Sequence, residues 1–256
     1  MKFLIVGRAG VGKDTLAQEL ESVYDMKQLK SYTTRPRRTP DENTHVFITP
    51  EEAAAFTERA AETVINGYEY FATRQQVLEH DVYIVDPNGL YQLVANMPDT
   101  EFMVIYMTAG REEARRRAVE RAAEQDKEEG VIAKRLQDED EQFTLFEKRY
   151  MGKEEVIAPN CKLFHIFDNG GDVETLKEFA CHLANLKREV KNLKKVVLTL
   201  LQDDVLYQDE EGRIKVWTFD REEPLLMSVA QFVTVLLQDK EGLATCLSQY
   251  IALHDL

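Results

Sequence analysis

The chain has 256 residues, of which 44% are hydrophobic and 30% are charged, and its formal net charge is −14. This composition is typical of a soluble globular protein, and a chain of this length buries enough surface to fold without disulfides or structural metals. The acidic excess argues against a nucleic-acid-binding protein, because a phosphate backbone attracts a basic surface. Positive charge is concentrated in arginine clusters near residues 35–38 and 115–121, which suits a small phosphorylated ligand.

The cysteines and the hydropathy of the chain bear on its location. Cys161, Cys181 and Cys246 lack the spacing of metal ligands, so we expect reduced thiols in a cytoplasmic protein. The apolar run at residues 3–6 is too short for a signal sequence or a membrane span, so we expect no membrane partner.

The first motif with chemical meaning follows that apolar run. It reads Gly7-Arg8-Ala9-Gly10-Val11-Gly12-Lys13-Asp14-Thr15 and precedes helix-forming residues. Gly7, Gly12 and Lys13 match the spacing G-x-x-x-x-G-K of a phosphate-binding loop, in which backbone N–H groups surround the phosphates of a nucleotide. The helix N-terminus adds partial positive charge, and the lysine ammonium reaches the terminal phosphates. The predicted ATP-binding residues are Gly7, Ala9, Gly10, Val11, Gly12, Lys13, Asp14 and Thr15.

The residue after the lysine departs from the usual form of this loop. Ser or Thr normally contacts Mg²⁺ there, whereas this chain has Asp14 followed by Thr15. A carboxylate binds a hard cation directly or through water. Asp86 ends another apolar run, residues 82–85, at the predicted carboxyl edge of the sheet, where an α/β fold opens its ligand crevice. We therefore predict Mg²⁺ ligands at Asp14, Thr15 and Asp86.

A second anion-binding segment begins at residue 31 and reads Ser31-Tyr32-Thr33-Thr34-Arg35-Pro36-Arg37-Arg38. Its prolines prevent a helix, and its hydroxyls and arginines suit an anion. With the phosphate loop, this run resembles the monophosphate-binding loop of guanylate kinases. The resemblance implies that Ser31, Arg35 and Arg38 hold the phosphate of an acceptor GMP. His45 stands where the family has a tyrosine that contacts the same phosphate.

The base-binding hairpin of guanylate kinases resembles residues 62–73 of this chain. The resemblance implies that Glu62 and Tyr70 bind the acceptor and places Asp86 beside it; Phe71 and Ala72 replace a glycine and a small hydroxyl residue of the family pattern. Between the two segments, Thr49, Pro50 and Glu52 form a capping box that predicts a helix over residues 51–59.

Two further segments complete the resemblance. Arg117 and Arg121 are four residues apart on one face of a predicted helix over residues 112–125. The resemblance places both of them, with Arg135, on a mobile lid that closes over the transferring phosphoryl group. It also places Asn169, which follows the last predicted strand (residues 163–167), near the nucleotide.

The resemblance ends near residue 186. Asp172 is the predicted cap of a long helix whose apolar residues recur at alternating steps of three and four, the period of a coiled-coil seam. The helix is therefore expected to pair, and two partners stay open: the C-terminal module of the same chain and a second subunit in a homodimer. Residues 209–212 predict a hairpin turn, and two helices are predicted, from Pro224 to about Leu237 and from Glu241. The seam residues are Leu176, Phe179, Leu183, Leu186, Val190, Leu193, Val197 and Leu200.

These segments together predict an α/β protein with the three-layer P-loop NTPase fold. Its central parallel sheet carries a monophosphate-binding insertion near residues 31–80 and a helical lid near residues 110–147, and residues 187–256 form an α+β extension. The expected function is ATP- and Mg²⁺-dependent phosphorylation of a nucleoside monophosphate, with GMP or dGMP as the first candidates. Two alternatives remain open: a non-catalytic, guanylate-kinase-like nucleotide-binding or interaction protein, and a kinase for another (deoxy)nucleoside monophosphate.

Overall fold

A computed structural model describes residues 1–65, 67–123, 129–151, 157–158, 160–161, 163–202, 206–216 and 224–238. The elements of the first part are β1 (Lys2–Gly7), α1 (Lys13–Tyr24), β2 (Gln28–Leu29), β3 (Tyr32–Thr33), β4 (Val46–Phe47), α2 (Pro50–Ala54), β5 (Arg59–Ile65), β6 (Tyr68–Thr73), α3 (Arg74–Glu79), β7 (Val82–Ile84) and α4 (Pro87–Asn96). The later elements are β8 (Phe102–Thr108), α5 (Arg111–Ala123), α6 (Glu129–Tyr150), β9 (Leu163–Asp168), α7 (Val173–Gln202), β10 (Ile214–Val216), β11 (Leu225–Met227) and α8 (Val229–Gln238).

The first compact unit, residues 1–184, is built on a five-stranded parallel sheet in the order β2-β7-β1-β8-β9. The apolar runs of the sequence form its inner strands, because a parallel sheet covered on both faces buries its strands completely. β1 lies between β7 and β8, with Ile5 opposite Ile84 and Gly7 opposite Met107. The central parallel sheet of the predicted α/β fold is confirmed.

Alternate residues of the inner strands face opposite sides of the sheet. On one side, Leu4, Val6 and Tyr106 belong to a buried cluster with residues of α4 and α6. Phe3 and Ile5 therefore face the other side, where α1 contacts β1. Helices thus flank both faces of the sheet, and the loops at its carboxyl edge stand above a rigid base.

The insertion predicted near residues 31–80, called the acceptor segment below, forms a separate four-stranded sheet in the order β4-β3-β6-β5. In its antiparallel ladder, Thr63 lies opposite Tyr70, and Glu62 lies opposite Phe71. Residues directly opposite each other share a face, so Glu62 and Tyr70 lie on opposite faces. Thr49 forms the predicted capping box with Glu52.

The prediction that the capped helix continues to residue 59 was wrong. Helix α2 ends at Ala54, because the chain from Arg59 onward pairs with β6 instead. None of the helices in the described part of the chain is long and apolar enough to cross a membrane.

The second unit, residues 185–256, contains the later turns of α7, the β10–β11 hairpin and α8. Seam residues Val190 and Val197 are buried within the single chain. The turn at residues 209–212 is present, closed by an isolated bridge between Gln208 and Ile214.

The prediction of a helix starting at Pro224 was wrong. Residues 225–227 pair with β10, and α8 begins only after Ser228, whose hydroxyl accepts a hydrogen bond from the backbone N–H of Gln231. The helix predicted from Glu241 lies outside the described residues.

Close packing of the phosphate loop leads to the first prediction. Gly10 and Gly67 have almost the same left-handed φ, 81° and 80°. An added Cβ at Gly10 collides with the carbonyl oxygen of Ala114 in α5, whereas nothing lies within 4 Å at Gly67. Gly67→Ala carries only backbone strain of roughly 1–2 kcal/mol. Gly10→Ala adds the collision, so we expect a clearly lower melting temperature for it by circular dichroism. Equal losses in the two variants would contradict this packing.

Candidate functional site

The phosphate loop connects β1 to α1 in the geometry that the motif predicts. Gly12 precedes the helix with a left-handed φ of 92°, and no side chain caps the helix start. The Lys13 ammonium donates hydrogen bonds to the carbonyl oxygens of Gly7 at 2.6 Å and of Arg8 at 2.7 Å. The lysine therefore folds over the loop, and the uncapped helix end faces the space that the loop encloses.

Two glycines of the loop are required by what lies against them. An added Cβ at Gly7 would lie 2.5 Å from the carbonyl oxygen of Met107, and one at Gly12 would lie 2.5 Å from Nδ2 of Asn169. Asn169 is buried; its Nδ2 donates to the Val11 carbonyl at 2.9 Å, and its Oδ1 accepts from the Gly171 N–H at 3.2 Å. Asn169 thus fixes the loop to the chain that follows β9.

A cavity of about 260 Å³ opens beside the loop. Its wall combines the loop and the start of α1 with apolar residues of α7 and the side chain of Arg117 from α5. Arg117 Nε also donates to Glu113 at 2.7 Å, so one face of its guanidinium is held by its own helix. The lining residues are Gly10, Gly12, Asp14, Thr15, Arg117, Asn169, Gly171, Asp172, Val173 and Leu176.

The acceptor segment forms a second anion cradle, and a carboxylate of the chain occupies it. Buried Arg35 donates to both oxygens of Glu42, at 3.2 and 2.7 Å, and its Nε donates to the Tyr70 hydroxyl at 3.1 Å. Glu42 also accepts from the Arg38 backbone N–H at 2.7 Å and from the Thr44 hydroxyl at 3.1 Å. Burial alone raises the pKa of Glu42, but these hydrogen bonds outweigh it and lower the pKa to about 2.

His45 lies beside this cradle. Its Nδ1 is 3.0 Å from Oγ of Ser31, and its ring packs edge-on against Tyr70 at 5.4 Å. Burial first, and then the charge of Arg35, lower the pKa of His45 to about 4, so the imidazole is neutral at pH 7. The Asp14 carboxylate of the phosphate loop opposes this shift.

The structure does not place Glu62 beside Tyr70. It lies on the other face of the sheet from Tyr70 and forms an ion pair with Arg59 at 2.9 Å. Among the described residues of the hairpin, the neighbours of Tyr70 on its own face include Thr63 and the buried Ala72. The role of Glu62 in reading a base stays a prediction.

Asp86 stands at the carboxyl end of β7, next to the phosphate-loop strand. It is the N-cap of α4, and its Oδ1 accepts a hydrogen bond from the Gly89 N–H at 2.8 Å. Within the described ranges, no group of three or more His, Cys, Asp or Glu residues is placed to hold a metal ion. The predicted ligands Asp14, Thr15 and Asp86 fit Mg²⁺ only in its usual nucleotide-bound form, in which phosphate oxygens and one or two carboxylates bind the ion together. Asp14 and Thr15 line the cavity where such phosphates would lie.

The lid residues are only partly described. Arg117 reaches the cavity, whereas the side chains of Arg121 in α5 and Arg135 in α6 lie outside the described part of the chain. The sequence predicted no role for the side chain of Arg8, whose guanidinium is bound to Glu147 of α6. The only local signal for this contact was a bulky cation inside a glycine-rich loop, because Glu147 lies 139 residues away in the sequence.

Comparisons with known proteins identify distant structural similarity alone. The chain is similar to a crystal structure of guanylate kinase from Anaplasma phagocytophilum, with 17% identity, 73% of this chain and 84% of that chain covered, and a TM-score of 0.47. It is also similar to an uncharacterized protein from Eubacterium ventriosum ATCC 27560, with 10% identity, 72% and 99% coverage, and a TM-score of 0.35. No protein-family profile and no curated protein matches the sequence. The function is therefore argued from the residues of this chain.

The low pKa of His45 leads to a prediction about stability and pH. Because the folded-state pKa is about 4 and lies below the usual 6.5, folding favours the neutral imidazole. This contribution is complete above pH 6.5 and is lost as the pH falls toward 4. We expect wild type to lose about 2 kcal/mol more stability than His45→Gln between pH 7 and pH 5. Urea unfolding at both pH values measures this difference, and identical losses would show that His45 is not buried as described.

Proposed function

We propose that this protein transfers the γ-phosphoryl group of ATP to a nucleoside monophosphate, with GMP and dGMP as the first acceptors to test. One observation carries the proposal. The phosphate loop follows β1 and the segment that begins at Ser31 follows β2; both strands run parallel in one sheet, so both anion-binding loops start at its carboxyl edge. Phosphoryl transfer needs two phosphates in line and little covalent chemistry from the protein, so this adjacency is its main structural requirement.

The donor side consists of the phosphate loop and the cavity beside it. Lys13 exchanges its bonds to the Gly7 and Arg8 carbonyls for bonds to the β- and γ-phosphates, while loop N–H groups hold the phosphate oxygens. The cavity between Asn169, Arg117 and Leu176 takes the nucleoside end of the donor. Asp14, Thr15 and Asp86 would bind Mg²⁺ together with phosphate oxygens of the donor. When bound, this ion neutralises phosphate charge.

On the acceptor side, a monophosphate replaces the carboxylate that Arg35 binds. Arg35 already holds a carboxylate in the bidentate geometry that also fits a phosphate. An incoming monophosphate displaces Glu42 and takes over the donors of Arg35 and the Arg38 backbone, next to Ser31 and His45. The acceptor phosphate is an anion and needs no general base.

Charge stabilisation completes the proposed mechanism. Arg117, Arg121 and Arg135 would close over the phosphoryl group, neutralise its charge and exclude water, which strengthens each electrostatic contact.

Two observations favour second candidates. Glu42 fills the acceptor cradle and Asp14 adds negative charge beside the donor phosphates, as expected of a nucleotide-binding protein without turnover. Glu62 faces away from Tyr70, which favours a kinase whose acceptor base is not guanine.

An ADP-release assay over the common ribo- and deoxyribonucleoside monophosphates tests the proposal. We expect at least one monophosphate to stimulate ADP formation in wild type. Lys13→Ala should reduce that rate by about 10²–10³-fold, because it removes a preorganised charge from the transferring phosphate. Lys27→Ala removes an exposed lysine from the same unit and should leave the rate unchanged. Wild type that responds to none of the monophosphates would contradict kinase activity and favour the binding protein.

A further inference from the structure

Arg8 attaches the phosphate loop to helix α6. Its Nε and Nη2 donate to the two oxygens of Glu147 at 3.1 and 3.0 Å, a fork-to-fork pair. Nη1 pairs with Asp140, and the guanidinium lies 5.6 Å from the ring centre of Phe143. These contacts span about two turns of the helix, so Arg8 fixes the loop to one stretch of α6, residues 140–147.

Glu147, the partner of Arg8, is hydrogen-bonded to a residue of the buried core. The hydroxyl of Tyr106, a residue of β8 whose exposed fraction is 1%, donates to Glu147 at 2.6 Å. Burial raises the pKa of Glu147, but hydrogen bonds from Arg8 and Tyr106 outweigh burial and lower it. Glu147 is therefore a charged, oriented acceptor, and its pair with Arg8 is unlike a solvated surface ion pair.

The backbone of Arg8 is linked to the phosphate-binding lysine. The Arg8 carbonyl accepts a hydrogen bond from the Lys13 ammonium at 2.7 Å. Phosphates that bind the ammonium would take this hydrogen bond away from the Arg8 carbonyl. Because the side chain of Arg8 is bound to α6, this one residue joins the phosphate-binding lysine to that helix.

We propose that Arg8 is a positioning residue that couples phosphate binding in the loop to the position of α6, the helix that also carries Arg135. The coupling rests on the proposed function, because its ligand is the triphosphate of the donor. Phosphate binding in the loop and placement of α6 then occur together, so the lid does not close before the donor is bound.

Hydrogen exchange of the full chain, with and without a non-hydrolysable ATP analogue and Mg²⁺, tests this coupling. In wild type we expect the analogue to slow amide exchange about fivefold or more both in residues 7–15 and in residues 140–150. In Arg8→Met, slowing should persist in residues 7–15 and disappear from residues 140–150. Arg116→Met, which removes an exposed arginine of α5, should behave as wild type.

A second variant changes Glu147, the partner of Arg8, and leaves Arg8 itself in place. Glu147→Gln keeps a partner for Tyr106 but loses the charge, so it should also uncouple the two segments, and it serves if Arg8→Met does not fold. The proposal is overturned if residues 140–150 respond as in wild type in both variants, or if they do not respond in wild type while residues 7–15 do. No slowing in residues 7–15 of wild type would instead overturn the donor site itself, and the coupling with it.

Discussion

The site depends on how closely the phosphate loop packs against the strands and chain beneath it. Gly7 lies against the Met107 carbonyl and Gly12 lies against Asn169, at distances that admit no side chain. This packing fixes Gly7 against β8 and Gly12 against the residue that follows β9, at the carboxyl edge of the sheet. Preorganisation of this kind lowers the entropic cost of binding phosphates.

The arginines of the site explain how an acidic chain is suited to anionic ligands. Arg8 binds Glu147, Arg35 binds Glu42, and Arg117 binds Glu113. Each guanidinium is thus held in place by a carboxylate of the chain. In the proposed function, a phosphate that displaces Glu42 would meet the guanidinium of Arg35 already oriented for two hydrogen bonds.

The sequence predicted the elements that local rules determine. The phosphate loop follows from glycine spacing and the start of α2 from the capping box at Thr49. The long helix α7, which begins directly after Asp172, follows from the period of its apolar residues.

The remaining features depend on contacts between distant residues. The faces of Glu62 and Tyr70 follow from the register of β5 against β6, which an irregularity between Arg59 and Ala61 shifts. Strand β11 forms because β10 is beside it, although its short apolar run equally fits a helix. The pairing of Arg8 with Glu147 and the insertion of Glu42 into the cradle of Arg35 depend on tertiary packing, and no local pattern encodes them.

The central claim is that the phosphate loop and the Arg35 cradle share one crevice, and a single ligand that spans both tests it. The ligand is a bisubstrate analogue in which adenosine and the acceptor nucleoside are joined by five phosphates. In calorimetric titration we expect one analogue per chain, an affinity about 10²-fold or more above that of ATP, and competition from both ATP and the monophosphate. An analogue that binds no more tightly than ATP, and that the monophosphate does not displace, would contradict the shared crevice.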